Sequence, residues 1–124
     1  MASATDRPQL WSEPALEQLR ALQTQSPAVV DEIIELFRAD STRLVGDLRA
    51  AMKADDAEAV SRLGHELLGA SGTVGAEGMA SRAQALKDAF KAGDTARAEA
   101  LLGELEQVMA QTHQQFSEAL RGPG

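Results

Sequence analysis

Apolar residues return at every third or fourth position along almost all of this 124-residue chain. That spacing gathers them on one side of a helix, whereas a half-buried strand would alternate them. The longest run carries Val30, Ile33, Phe37, Leu44 and Leu48, with Asp40 or Ser41 filling the stripe position between Phe37 and Leu44. Its start is marked by Ser26 as N-cap and Pro27 at the first helical position, and it reaches to about Met52. A shorter helix precedes it, opening at Ser12 and Pro14, carrying Leu16, Leu19 and Leu22, and closing at Thr24 and Gln25. Asp55 or Asp56 caps a third helix with Val60, Leu63, Leu67, Ala70 and Val74 on its stripe, ending at Gly75. A fourth begins near Gly78, buries Met79, Ala83, Leu86 and Phe90, and stops where Gly93 closes it and Asp94 caps the next. The fifth runs from Thr95 to about Leu120 through Leu101, Leu105, Val108, Met109, Thr112 and Phe116.

No strand pattern competes with these helices. Four substantial amphipathic helices with short connections predict an all-α fold, an antiparallel up-down-up-down four-helix bundle with an additional short N-terminal helix packed on one end. The length suits one domain over residues 1–124, with a core over about 12–120 and residues 1–10 and 121–124 as flexible ends. Trp11 is expected to pack the N-terminal segment onto the bundle.

Composition narrows the function. Cysteine is absent, which removes disulfides, thiolate metal sites and cysteine nucleophiles and fits a reducing compartment. No window approaches the roughly 20 apolar residues that cross a bilayer, so the expectation is a soluble cytoplasmic protein without a membrane partner. The net charge of −7, with both signs interspersed, disfavours nucleic-acid binding through bulk electrostatics and points to a protein partner.

The segment 64–76, GHELLGASGTVGA, stands out because it sets four glycines around one of only two histidines in a chain of helices. At about 100° per residue, His65 lies some 200° from both Leu63 and Leu67, facing away from the buried stripe. Glu58, Ser61, Arg62, Leu68, Gly69 and Gly72 fall within about 60° of it. An exposed helical histidine ordinarily does nothing. Here Gly69 removes the side chain that would crowd the ring from the next turn, and Leu68 makes the surroundings partly apolar, as a docking protein would need. Near neutral pH an unprotonated imidazole nitrogen is a nucleophile.

Other chemistries lack their parts. Neither His65 nor His113 follows the Glu-x-x-His spacing of di-iron bundles, so no metal is expected on this chain. There is no strand-borne nucleophile elbow and no phosphate loop ending in Gly-Lys-Ser/Thr, so no ATP site is expected. His113, beside Thr112 on the last helix, reads as a surface residue.

The segment resembles the histidine-containing phosphotransfer (HPt) domain family. Its pattern is H-x-L-K-G followed by small residues and a glycine ten positions after the histidine, and His65, Leu67, Gly69, Ala70, Ser71 and Gly75 match in register. The flanking IIELFRADSTRLVGDLRAAMKADD and ALKDAFKAGD, and LWSEPALEQL near the N-terminus, are similar to the family too, so the likeness spans roughly residues 10–120. The resemblance implies that His65 accepts a phosphoryl group from an aspartyl phosphate on a receiver domain, which a hybrid histidine kinase can carry, and passes it to another receiver aspartate. It implies no kinase or ATPase activity of the chain's own, no cofactor bound by it, Mg²⁺ on the partner receiver, and a monomer. Glu58, Ser61, Arg62, Gly64, Leu68, Gly69 and Gly72 would form the partner-binding surface, with Gly64 and Gly69 as clearance for docking.

One position departs from the pattern. The family usually has lysine three residues after the histidine, whereas this chain has Leu68, which can neither donate a hydrogen bond nor offset negative charge. Two candidate cations remain. Arg62 stands one turn before His65 on the same face. In a hairpin folded about residue 76, Lys87 lies level with His65 from the next helix, at a place where family members often carry a polar residue. The alternative is an HPt-like interaction module that docks a receiver or kinase without efficient transfer, with Leu68 as the trace of that loss.

Overall fold

The computed structural model describes residues 10–121. It holds five helices: α1 (Glu13–Gln25), α2 (Pro27–Lys53), α3 (Ala57–Val74), α4 (Glu77–Lys91) and α5 (Thr95–Arg121). Among the described residues there is no strand. The expected flexible ends fall mostly at residues 1–9 and 122–124, outside the described residues.

Local chemistry sets the boundaries. The Ser12 hydroxyl accepts from the Ala15 N–H at 3.3 Å, and an Asp56 carboxylate oxygen accepts from the Ala59 N–H at 3.1 Å, each satisfying a donor left free at a helix start. Asp94 does the same for the Arg97 N–H at 3.1 Å. Ser26 differs from expectation, since its hydroxyl makes no cap bond. As a one-residue junction, it closes α1 by donating its N–H to the Leu22 carbonyl at 2.7 Å, and its own carbonyl accepts from Val29 and Val30 to open α2. Gly75 and Gly93 take left-handed backbone, with φ of 78° and 83°, and so turn the chain out of α3 and α4.

Helices α2, α3, α4 and α5 pack side by side in a closed ring, α2 also touching α5, and α1 lies against α2 and α5. Fully buried Val30, Leu48, Val60, Leu67, Met79, Leu86, Leu105 and Phe116 fill the interior. Two stripe positions shift by one residue. Ile34 is buried where Ile33 was expected, because the start of α2 is covered by both α1 and α5 and both isoleucines reach the core. Ser71 is buried in place of Ala70, and the place between Phe37 and Leu44 goes to Ser41, whose hydroxyl donates to the Phe37 carbonyl at 2.6 Å.

The chain before α1 is anchored. Trp11 stacks on Phe116 with ring centroids 5.9 Å apart, and Phe116 meets Phe37 edge-on at 6.1 Å. Leu10, expected in a flexible end, is buried, and its carbonyl accepts from the Gly78 N–H at 3.2 Å. The Ser12 N–H donates to the Gly75 carbonyl at 2.6 Å, so both flanks of the α3–α4 turn are tied to this segment.

Candidate functional site

His65 sits mid-way along α3 with its side chain exposed, opposite the buried Leu63 and Leu67. Helical geometry alone produces this, because both core residues are two positions away. Gly69 and Gly72 are exposed on the same face, and a Cβ at either would meet nothing within 4 Å. The ring therefore stands beside open backbone. Leu68 is half-buried, and Glu58, Ser61 and Arg62 are exposed along the preceding turns.

Gly64 does not belong with this open surface. It is buried and faces α4, where a Cβ would lie 3.3 Å from Cγ and Cδ of Lys87 and 3.4 Å from its Cβ. The missing side chain makes room for the lysine stem, so the expectation that Gly64 clears a docking partner is corrected to an interior role.

The structure does bring Lys87 to α3 at the level of His65. The lysine is half-buried, its stem lies along Gly64, and among the described residues its ammonium has no ion-pair partner. The nearby acid Asp88 accepts instead from the Gln84 side-chain amide at 3.0 Å. Arg62 faces a different situation, because its guanidinium lies 3.8 Å from Glu66 one turn on, with both side chains largely in water. Of the two cations, Lys87 is the one held in place by packing and, among the described residues, left free of an acid.

Beyond Lys87 a groove of about 380 Å³ runs between α3 and α4, lined by Ala57, Glu58, Val60, Ser61, Lys87, Phe90 and Lys91. Buried Val60 and Phe90 form its apolar floor. Lys91, four residues after Lys87 and therefore on the same helical face, was missed in the sequence although that spacing could have found it. Among the described residues no three His, Cys, Asp or Glu side chains come together as a metal site would require. No helix of the described residues is long and apolar enough to cross a membrane.

His113 corrects a second expectation. It is half-buried, with Nε2 2.8 Å from the Ser41 hydroxyl and its ring edge-on to Phe37 at 5.8 Å. The Ser41 hydroxyl also lies 2.6 Å from the Phe37 carbonyl, so Ser41 links the ring of His113 on α5 to the backbone of α2. Burial, and then the neighbouring Arg38 charge, hold the imidazole below the ordinary histidine range. It is a packed, hydrogen-bonded histidine with an assigned partner.

The Hpt domain family model matches residues 32–115, most of the chain from α2 to α5, with His65, Leu68 and Lys87 all inside the match. The chain belongs to the Hpt family. Membership sets the coarse role, histidine phosphotransfer in a two-component phosphorelay in company with receiver domains. Solved Hpt structures share the fold. Histidine-containing phosphotransfer protein B from Pseudomonas aeruginosa PAO1 superposes with a TM-score of 0.79 at 24% identity, covering 93% of this chain and 97% of that one. ZmHP2 from maize gives 0.80 at 24% identity, with 91% and 90% covered. A putative phosphotransfer protein from rice gives 0.79 at 21%, with 91% and 81% covered. No curated protein sequence matches the chain. Helix α1 lies outside the family match, although the Hpt structures cover over nine-tenths of the chain.

Proposed function

We propose that His65 is the phosphoacceptor of a receiver-to-receiver relay. An unprotonated ring nitrogen attacks the phosphorus of a receiver aspartyl phosphate. The phosphorus–nitrogen bond forms as the phosphorus–oxygen bond breaks, and the aspartate carboxylate leaves with the bonding pair. A second receiver aspartate then reverses the step. The receiver contributes Mg²⁺ and most of the charge stabilisation, while this chain contributes an oriented nucleophile for in-line transfer. It binds no cofactor itself and acts as a cytoplasmic monomer with no kinase or ATPase activity of its own.

The observation that carries this reading is the exposed His65 imidazole, flanked by the open backbone of Gly69 and Gly72 and level with a seated Lys87 that has no ion-pair partner among the described residues. Lys87 supplies the charge that Leu68 cannot, and Arg62 is secondary because it is shared with Glu66. Glu58, Ser61, Arg62, Leu68, Gly69 and Gly72 form the docking surface. The cross-helix pairs Ser41 with His113, Arg49 with Glu106 and Arg82 with Glu104 support an antiparallel up-down-up-down course for α2 to α5.

Incubation with a phosphorylated receiver should label the chain with an acid-labile, base-stable phosphate. His65→Gln should abolish the label with helicity unchanged. A label that persists in that variant refutes the assignment.

A further inference from the structure

We propose that Gly64 is a positioning residue for phosphotransfer, seating the Lys87 stem so that its ammonium stands beside the phosphoryl group on His65. The inference rests on the reading of His65 as phosphoacceptor.

Gly64 occupies the interior of α3, where glycine is the least favourable residue after proline, and the helix runs on for ten more residues to Val74. Neither a turn nor a helix end explains it. Its φ is not among the positive ones, so the backbone conformation does not require glycine. What glycine leaves at this position is room for the lysine stem. The Lys87 Cγ and Cδ fill that volume at 3.3 Å from where a Cβ would be, tighter than ordinary contact. A methyl group at 64 would make the lysine stem give by a few tenths of an ångström, away from α3.

The core does not depend on that stem. Ala83, Leu86 and Phe90 carry the packing of α4, while Lys87 is only half-buried and its ammonium has no acid partner among the described residues. A lysine whose stem is fitted against a helix and whose charge is unspent is suited to meet an anion that arrives later. The residue next to Gly64 on α3 is His65, so that anion is the phosphoryl group. Leu68 leaves the same charge to be supplied from outside α3.

The test is a double-mutant cycle read by the rate of transfer from a phosphorylated receiver and by the lifetime of the phosphohistidine. Lys87→Ala is expected to slow transfer roughly tenfold, the loss of one charge-assisted contact. Gly64→Ala should slow it about 3- to 10-fold in the otherwise native chain and change it less than about twofold when Lys87 is already alanine. Its melting temperature should hold or rise, because alanine favours the helix. Leu68→Lys, which brings a cation to the His65 face from the following turn of α3 itself, should restore transfer to Gly64→Ala.

If Gly64→Ala slows transfer equally with and without Lys87, or leaves it unchanged while Lys87→Ala slows it, the seating role is overturned and His65 stands. If the native chain takes no label on His65, the functional reading itself fails and the seating role falls with it.

Discussion

Gly75 and Gly93 offer a matched pair in which backbone strain and crowding can be separated. Both have left-handed backbone, with φ of 78° and 83°, and each follows a helix at a tight turn. A Cβ at Gly93 would meet nothing within 4 Å. At Gly75 it would lie 2.4 Å from the Ala15 Cβ and 3.3 Å from the Ser12 Cβ. Alanine in this conformation costs about 1–2 kcal/mol, and this should be the whole cost of Gly93→Ala. Gly75→Ala adds overpacking, about 1–3 kcal/mol, because the Ala15 methyl has no rotamer by which to retreat. Its total is therefore about 2–5 kcal/mol. Release of α1 is no cheaper escape, since Leu10 and Leu16 are buried and each contributes about 1.5–3 kcal/mol. Urea unfolding of the two variants measures the difference directly, with Trp11, the sole tryptophan, reporting on its stack against Phe116. Ala15→Gly in the Gly75→Ala background should recover the crowding part while losing about 1 kcal/mol of helix propensity. Unfolding free energies for the two single variants that agree within about 0.5 kcal/mol would refute the claim that α1 is fitted to a side-chain-free turn.

The remaining predictions concern charged and titrating groups. His113 is held below its ordinary value of 6.5, so the folded state favours the neutral ring and the unfolded chain binds the proton first as pH falls. Its contribution is fully present above pH 6.5 and is lost as the pH falls from there to the folded value. The urea midpoint of the native chain should thus drop between pH 7.5 and 5.5 more than that of His113→Gln. Parallel profiles would show that His113 does not titrate differently in the two states. Arg62→Ala removes a pair that is mostly in water, with side chains 62% and 45% exposed. Stability should change by less than about 0.5 kcal/mol, and transfer should fall less than with Lys87→Ala; an equal loss would make Arg62 the phosphoryl-binding cation.

Much of this molecule was legible because two spacings are rigid. The 3.6-residue period placed the five helices, and equal rise along both arms of a hairpin brought Lys87 level with His65. Rotation of a helix about its own axis was less legible, and both corrected histidine and glycine readings come from that. Gly64 lies about 60° from Leu67 on the helical wheel, close enough to the buried edge to face α4, yet its neighbour His65 drew it into the exposed surface. His113 lies about 60° from Phe116 and about 40° from Met109, which puts it on the rim of the buried stripe; its offset from Thr112 alone concealed that. Ser41 was equally hard to rank against Asp40, because its burial depends on a hydroxyl that can bond within its own helix and also pair with a ring on another. The glycines of segment 64–76 then divide by the direction in which each lacks a side chain. Gly64 opens inward to Lys87, Gly69 and Gly72 open outward beside His65, and Gly75 opens toward α1 at the turn. A shared composition thus conceals different surroundings: a side chain at Gly64 would meet the lysine stem and one at Gly75 the N-terminal helix, while at Gly69 and Gly72 it would enter open space.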